Sequence, residues 1–244
     1  MNTDLRAELS TRKSVFFLVM NYRKVAIIVA GGAGTRMQSA TPKQFLELAG
    51  KPVLLHTVEA FAAAYDDMEI VLVVPEAHFA YVDTLLKPAP AVSRITVLGG
   101  GETRFHSVRN GLQKAENAVV FVHDGVRPLV SPSLIRSCYE AALAHGSAIP
   151  VVEMKDSIRE VNGGMNKAVN RDHYKIIQTP QTFLSEILLP AFELPYDPLF
   201  TDEATVVERL GHRVHLVPGE ESNIKITKPL DLTIAAALLK ERGQ

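Results

Sequence analysis

The sequence predicts an α/β fold with a doubly wound, mainly parallel sheet and one projecting β-hairpin. Short apolar runs rich in β-branched residues, which are typical of buried parallel strands, alternate along the chain with segments of helical period. The first run, residues 24–30, ends directly in a glycine cluster. One segment breaks the alternation with the turn sequence Asn162-Gly163-Gly164. In such folds the ligand crevice lies at the carboxyl ends of the strands.

The first half of the chain supplies most of the predicted sheet. Strands are predicted at residues 24–30, 69–74, 94–98, 118–122 and 147–152. Helices are predicted between them at residues 53–64, 77–86, 104–116 and 132–145. This order of strand and helix favours parallel strands joined by helical crossovers.

The second half begins with the hairpin and then returns to the sheet. Strands at 157–161 and 165–170 flank the turn, so an arm is predicted at about residues 153–173. The remaining predicted elements are a strand at 174–178, helices at 184–193 and 202–210, strands at 213–217 and 223–226, and a helix at 229–242. Pro229 suits the first turn of that last helix.

The domain organisation follows from the lack of repeats or linker-like composition. Residues 23–244 are predicted to form a single domain, and residues 1–22 an unstructured extension. Met20 stands just before the first strand, so translation starting there is a second hypothesis. The apolar run in the extension is too short for a signal peptide or a membrane span.

Composition excludes several classes of function. Lys and Arg total 26 against 27 Asp and Glu, so no overall basic field exists to hold nucleic acid or an anionic membrane, and neither partner is expected. A hydrophobic content of 47% is enough for a large core. The single cysteine, Cys138, lies in an apolar helical pattern and is predicted to pack in the core. It fits a reducing compartment, so the cytoplasm is the expected location.

The loop after the first strand carries glycines and two cations. The run Gly31-Gly32-Ala33-Gly34 lets successive backbone N–H groups surround phosphate oxygens. Arg36 and Lys43 follow it in a protein that is otherwise neutral, as a triphosphate would require. The alternative interpretation is a tight turn beside two solvated surface cations. The loop lacks the Lys-Ser/Thr pair of a Walker P-loop, and Arg36 replaces the third glycine of the dinucleotide fingerprint.

Three later segments place polar groups at predicted strand ends. The glycine-rich stretch 99–104, followed by Ser107, could read the edge of a base, or it could be a plain loop. Asp124 ends a buried strand, where metal and phosphate chemistry is expected in this architecture, although helix capping is an alternative. Lys225 lies in a predicted strand that is apolar at alternate positions, and an inward-facing lysine there needs an anion.

The stretch from Ala30 to Phe45, AGGAGTRMQSATPKQF, resembles the signature of the sugar-phosphate nucleotidylyltransferases. Together with GGGETRFHSV, HDGVRP, TPQ, TDEA and NIKIT, in that order, it resembles the 2-C-methyl-D-erythritol 4-phosphate cytidylyltransferases of the non-mevalonate isoprenoid pathway, over residues 24–242. The resemblance implies a Rossmann-like nucleotidyltransferase fold. It also implies Mg²⁺-dependent transfer of CMP from CTP to the methylerythritol phosphate, with release of pyrophosphate.

The resemblance assigns roles to individual residues. Those implied to be catalytic are Arg36, Lys43 and Lys225. Those implied to bind the nucleotide are Ala30, Gly31, Gly32, Gly34, Gly101, Glu102, Arg104, Ser107 and Asp124. Those implied to bind the polyol phosphate are Asp124, Arg127, Asp156, Ser157, Arg171 and Thr179. Asp124 would support Mg²⁺ only indirectly, because the CTP phosphates mainly hold it.

The family also implies a homodimer in which each hairpin arm reaches the neighbouring active site. This chain has Ser157 where some members have threonine, and Gly125-Val126 where Ala-Ala is common. The alternatives that stay open are a ribitol 5-phosphate cytidylyltransferase, an enzyme that uses UTP or GTP with a sugar 1-phosphate, and an inactive nucleotide-sensing module. Retention of the cations and of Asp124 together argues against the inactive module.

Overall fold

The computed structural model describes residues 22–32, 37, 41–89 and 91–243. Its strands are β1 (Arg23–Val29), β2 (Glu47–Leu48), β3 (Lys51–Pro52), β4 (Met68–Val74), β5 (Ile95–Gly99), β6 (Ala118–Asp124), β7 (Ser147–Glu153), β8 (Arg159–Asn162), β9 (Met165–Ala168), β10 (Lys175–Ile177), β11 (Gln181–Leu184) and β12 (Leu216–Pro218). Its α-helices are α1 (Val53–Ala64), α2 (Phe79–Leu86), α3 (Arg104–Leu112), α4 (Pro132–His145), α5 (Ser185–Ala191), α6 (Glu203–Arg209) and α7 (Pro229–Glu241).

Eight strands form one sheet in the order β10-β7-β11-β6-β1-β4-β5, with β12 also paired to β7. The strands β5, β4, β1 and β6 are parallel to one another. Strand β11 is antiparallel to both β6 and β7, and β10 is antiparallel to β7. The sheet is therefore mainly parallel, which confirms the fold class predicted from the sequence.

The central strands are apolar along their whole length because both faces of the sheet are covered. Ala26 and Ile28 face a core cluster that includes residues of α1 and α4. Val25 and Ile27 face the opposite cluster, which includes residues of α3, α5 and α6. Helix α3 approaches β1 closely, since a Cβ at Gly111 would lie 2.6 Å from Cγ2 of Ile27. Glycine at this position is what allows the close contact.

A third apolar cluster joins the chain after β6 to the last helix. Val126 and Leu129 follow β6, and they belong to one buried cluster with Ile226 and with Ala235 and Leu239 of α7. The segment that carries Lys225 is thus packed between these two parts of the molecule.

The hairpin forms as its turn sequence predicts. Strands β8 and β9 pair only with each other among the described strands, with Asn162 opposite Met165. The two turn glycines have φ angles of +54° and +83°, a backbone region that favours glycine. Val161 and Met165 are 71% and 76% exposed. A two-stranded ribbon therefore projects from the sheet and leaves apolar side chains uncovered.

Several elements differ from the sequence prediction. Strand β11 was not predicted, because its first two residues, Gln181 and Thr182, are polar although they are buried. The predicted helix at 184–193 begins only after this strand. The predicted strand at 223–226 is wrong, since this segment forms no regular element and joins no sheet. The predicted helix from Arg104 is also shorter and ends at Leu112.

Cys138 is buried in the core of α4, as predicted, and burial raises the pKa of its thiol to about 12. None of the helices in the described part of the chain combines the length and apolar character that a membrane crossing needs.

Candidate active site

A cleft of about 430 Å³ opens at the carboxyl ends of β1 and β6. The chain leaves β1 for β4 on one side and later returns to β6 on the other, so the cleft lies where the strand order reverses. The predicted site residues that line it are Ala30, Gly31, Gly32, Lys43, Gly101, Glu102, Arg104, Ser107, Asp124 and Lys225. Arg36 and Gly34, also predicted, lie outside the described residues.

The turn between β5 and α3 forms one wall of the cleft. Thr103 caps the helix by accepting a hydrogen bond from the N–H of His106. The N–H of Gly101 donates to Oγ of Ser107 at 3.0 Å, and the Ser107 hydroxyl donates to the Thr103 carbonyl at 3.0 Å. A Cβ at Gly101 would clash with His106, so only glycine fits this turn. These bonds hold a rigid backbone edge against the glycine loop after β1.

Three cationic side chains surround the carboxylate of Asp124 in the cleft. Its Oδ2 lies 2.9 Å from Nζ of Lys225 and 3.5 Å from Nε of Arg127, and its Oδ1 lies 3.4 Å from Nε of Arg104. Burial by itself would raise the pKa of this carboxyl, but the three cations together hold the pKa below its ordinary value. One carboxylate therefore gathers three cations, and positive charge remains for an anionic ligand.

Arg104 is held from behind by Glu203, a residue to which sequence reasoning assigned no role. The guanidinium forms a bidentate pair with the Glu203 carboxylate, and the Arg104 Nη2 to Glu203 Oε2 distance is 3.1 Å. Glu203 is 1% exposed. Burial by itself lowers the pKa of Arg104, but the carboxylates of Glu203 and Asp124 raise it overall. The TDEA motif could have suggested this position, because a charged residue seldom occupies a buried helix start without a partner.

The helix start that carries Glu203 is fixed by a second polar residue. The Nε2 of Gln181 donates to Asp202 at 2.9 Å, and its Oε1 accepts the N–H of Ala204 at 2.8 Å. Asp202 also caps α6 by accepting the N–H of Thr205. The TPQ and TDEA motifs are thus parts of one hydrogen-bonded unit behind the cleft.

Lys225 reaches the cleft from an irregular segment and not from the predicted strand. The N–H of Ile226 donates to the carbonyl of Val126 at 2.9 Å, and Nζ of Lys43 donates to the carbonyl of Ile226 at 3.2 Å. The prediction that Lys225 needs an anion is met by Asp124.

Thr179 and Arg127 lie behind Asp124 and are not among the described residues that line the cleft. The Asp124 N–H donates to Oγ1 of Thr179 at 3.1 Å, and Nη1 of Arg127 donates to the Asn223 carbonyl at 2.8 Å. Both side chains are buried, and here they support Asp124. Their predicted contact with the substrate stays a prediction.

The predicted arm residues lie apart from this cleft in the described chain. Asp156, Ser157 and Arg171 are exposed, and they are absent from the described residues that line the cleft. The guanidinium of Arg171 donates to the carbonyl of Lys155, which ties the two ends of the arm together. Their predicted substrate contacts stay predictions as well.

Comparison with known proteins identifies related enzymes across this whole region. The family model described as 2-C-methyl-D-erythritol 4-phosphate cytidylyltransferase matches residues 24–241. A relative of that name from Bacteroides thetaiotaomicron is 48% identical over 219 residues, which cover 89% of this chain and all of the relative. One from Porphyromonas gingivalis is 47% identical over 222 residues, covering 90% of this chain and 99% of the relative.

Solved structures give the same result. The 4-diphosphocytidyl-2C-methyl-D-erythritol synthase from Anaerococcus prevotii superposes with a TM-score of 0.77 at 29% identity, covering 90% of this chain and 96% of that one. The 2-C-methyl-D-erythritol 4-phosphate cytidylyltransferase from Thermus thermophilus superposes with a TM-score of 0.69 at 31% identity, covering 89% and 99%. The sheet, the cleft and both comparisons agree, and the chain belongs to the 2-C-methyl-D-erythritol 4-phosphate cytidylyltransferase family.

Proposed function

We propose that this protein transfers CMP from CTP to 2-C-methyl-D-erythritol 4-phosphate, giving 4-diphosphocytidyl-2-C-methyl-D-erythritol and pyrophosphate. The observation that carries the proposal is the convergence of Arg104, Arg127 and Lys225 on Asp124 at the end of β6. Lys43 lines the same cleft beside the glycine loop. This arrangement suits a triphosphate in an architecture where ligands bind at the strand ends.

The reaction needs no protein nucleophile. A phosphate oxygen of the polyol phosphate attacks the α-phosphorus of CTP, the bond from that phosphorus to the bridging oxygen breaks, and pyrophosphate leaves with the electron pair. The attacking phosphate is already an anion near neutral pH, so positioning and charge stabilisation are the main contributions of the protein. Lys43 and Lys225 supply that charge, and Arg36, outside the described residues, completes the proposed catalytic set.

The nucleotide lies across the two walls of the cleft in this proposal. The backbone of Ala30, Gly31 and Gly32 faces the phosphates, and Gly34, which lies outside the described residues, is assigned to the same role. Gly101, Glu102 and Ser107 hold the cytosine, and Arg104 supports them. The support for this orientation is the rigid polar edge that Gly101 and Ser107 form.

The described residues fit a Mg²⁺ ion held mainly by the nucleotide. Nowhere in the described chain do three His, Cys, Asp or Glu side chains gather closely enough to hold a metal ion. Mg²⁺ suits such a site because it keeps several waters and is commonly bound through substrate phosphates rather than by a cage of protein ligands. Asp124 would contribute only indirectly, since both its oxygens pair with cations. When bound, Mg²⁺ offsets the charge of the triphosphate and of the departing pyrophosphate.

The polyol phosphate is bound jointly with a second subunit. We assign it to Asp124, Arg127 and Thr179 of one chain and to Asp156, Ser157 and Arg171 of the partner's arm. The support is the arm itself, which is exposed along its length and carries uncovered Val161 and Met165. Contact with a second copy would cover these side chains.

The protein is assigned to the cytoplasm, with no nucleic acid and no membrane among its partners. The support is a net charge of −1 and a single unpaired cysteine, which suits a reducing compartment.

The experiment that tests the function is pyrophosphate release with each of the four nucleoside triphosphates, crossed with methylerythritol phosphate, ribitol 5-phosphate and a sugar 1-phosphate. Calorimetric titration with CTP measures nucleotide binding separately. Turnover with CTP and methylerythritol phosphate is the expected result. Preference for ribitol phosphate, or for UTP or GTP with a sugar 1-phosphate, would replace the assigned substrates. Binding of CTP without turnover on any acceptor would indicate the inactive module.

A further inference from the structure

Lys225 is held in place without the support of a sheet. The segment 223–227 has no strand partner, although it carries a lysine that must point at one carboxylate. A lysine side chain is long and flexible, so its backbone has to be fixed by other contacts. On the C-terminal side these contacts come from Ile226, which is fully buried and bonded to Val126.

On the N-terminal side the segment is fixed by Asn223. This residue is fully buried, and its Nδ2 donates to the Thr179 carbonyl at 2.8 Å. Its own backbone carbonyl accepts the hydrogen bond from Nη1 of Arg127 at 2.8 Å. Asn223 thus uses both a side-chain donor and a backbone acceptor in buried hydrogen bonds.

Two of the hydrogen-bond partners of Asn223, Thr179 and Arg127, also support Asp124. Thr179 accepts the Asp124 N–H through Oγ1, while its backbone carbonyl receives Asn223. Arg127 lies 3.5 Å from the Asp124 carboxylate through Nε, while its Nη1 bonds to Asn223. Each of them connects the carboxylate to the segment that carries the lysine, and both connections meet at Asn223.

We propose that Asn223 is a positioning residue that sets Lys225 at its 2.9 Å distance from Asp124 and so aims it at the reacting phosphates. The inference rests on the proposed function of the cleft. Asn223 does not line the cleft, so it can act only through residues that do, and Lys225, two positions along the chain, is the one assigned here. A misplacement of about 1 Å can lower a rate by about 100-fold, so the effect of losing Asn223 should appear mainly in kcat.

The test is a double-mutant cycle with Asn223→Ala, Lys225→Met and the double variant. Lys225 is partly exposed, with 39% of its side chain accessible, so its variant should fold. Asn223→Ala should lower kcat by about 10- to 100-fold when Lys225 is present and by less than about 2-fold in the Lys225→Met background. Ser222→Ala is the matched control. Ser222 precedes Asn223 in the chain, and its hydroxyl accepts a hydrogen bond from Arg242, which is not a partner of Asp124.

Equal losses from Asn223→Ala in both backgrounds would overturn the inference, and so would near-normal kcat in the single variant. Full activity of Lys225→Met would remove Lys225 from the catalytic set, which is a failure of the proposed function. Crystal structures of the wild type and of Asn223→Ala give a readout that does not depend on turnover. Lys225 should leave Asp124 in the variant, and an unchanged Lys225–Asp124 pair would contradict the positioning role. Asn223→Leu, which keeps about the same volume and loses the donor without burying a charge, serves as a second variant if Asn223→Ala does not fold.

Discussion

A short hydrogen-bond chain beneath the cleft fixes the protonation of His123. The Arg127 carbonyl can only accept, so Nε2 of His123 carries the hydrogen of their 3.2 Å contact. Oγ1 of Thr179 accepts the Asp124 N–H, which leaves the threonine hydroxyl to donate to Nδ1 of His123 at 3.0 Å. The ring is therefore neutral, and it supports the strand end that carries Asp124.

Acid should weaken the fold through His123. Burial lowers the pKa of this fully buried ring to about 3, against 6.5 for an ordinary histidine. Between these pH values the unfolded chain binds a proton that the folded chain does not, so the free energy of unfolding falls by about 1.4 kcal/mol per pH unit as the pH is lowered. The stability that this ring contributes is complete above pH 6.5 and is lost as the pH falls towards 3.

Urea denaturation of the wild type and of His123→Gln between pH 7.5 and 4.5 measures this effect. The variant should be less stable at pH 7.5, and the difference in unfolding free energy should shrink as the pH falls. A parallel series with His212→Gln, at an exposed position, is the control. A difference that stays constant with pH would contradict the assignment of this dependence to His123.

Lys43 should matter for turnover far more than for stability. It is partly buried in the cleft wall, and its ammonium donates to the Ile226 carbonyl. Lys43→Met keeps most of the side chain and removes the charge, so kcat should fall by about 10²–10³-fold, as when one transition-state donor is lost. Lys51→Met is the control, because Lys51 forms an exposed ion pair with Glu59. Near-normal kcat in Lys43→Met, with native circular dichroism in both variants, would exclude a catalytic role for Lys43.

At the scale of elements, the N-terminus of α6 is bound to the cleft by one ion pair. Glu203 begins this helix, and its carboxylate holds Arg104 at the start of α3. Glu203→Ala should lower the free energy of unfolding by about 2–3 kcal/mol. This is less than the 3–5 kcal/mol typical of breaking a fully buried pair, because 31% of the Arg104 side chain stays accessible to water.

Thermal and urea unfolding of Glu203→Ala measure this loss of unfolding free energy. Glu208→Ala, on the exposed face of α6, is the control. Glu203→Gln should recover part of the loss, since it keeps a hydrogen-bond acceptor for Arg104. If Glu203→Ala were as stable as Glu208→Ala, the Arg104–Glu203 ion pair would not contribute to the stability of the fold.

The arm is the element whose function depends most on a second chain. Arg171→Ala should raise KM for the polyol phosphate by about 10- to 150-fold and change KM for CTP little, because a charge-assisted Arg–phosphate pair is worth about 1.5–3 kcal/mol. Arg159→Ala is matched to it, since Arg159 is an exposed arm residue that bonds within the hairpin to Asn166. Steady-state kinetics with each substrate varied in turn measures both constants. Equal effects of the two variants would mean that Arg171 is an ordinary surface charge.

At the scale of the whole molecule, shared active sites predict recovery of activity on mixing. A heterodimer of Lys43→Ala and Arg171→Ala subunits would carry both lesions in one site and none in the other. At a polyol phosphate concentration far below the raised KM of Arg171→Ala, both parents are nearly inactive. Random exchange makes about half of the dimers mixed, so about a quarter of wild-type activity should return under these conditions. Differently tagged subunits verify exchange. A verified mixture that stays inactive, or an active monomer by light scattering, would rule out the shared site.

The sequence by itself determined the central parallel strands, the hairpin and most of the residues that line the cleft. Strands covered on both faces must be apolar throughout, and paired glycines at a turn favour a backbone conformation that other residues avoid. Both features can therefore be recognised from a short stretch of sequence. Loops after parallel strands meet at one edge of a sheet, which predicts that Lys43 and Asp124 lie close together. Only the family resemblance placed Lys225 with them.

Only the tertiary structure decided how the cleft residues are supported. Gln181 and Glu203 are polar residues that become buried because their partners lie far along the chain, and Arg104 and Glu203 are 99 residues apart. The segment at Asn223 was predicted to be a strand, but bonds to Thr179 and Arg127 fix it instead of strand pairing. Local periodicity reports which face of an element is apolar. It cannot report a buried charge pair or a buried amide, because burying such a group is favourable only once a distant partner has been brought to it by the fold.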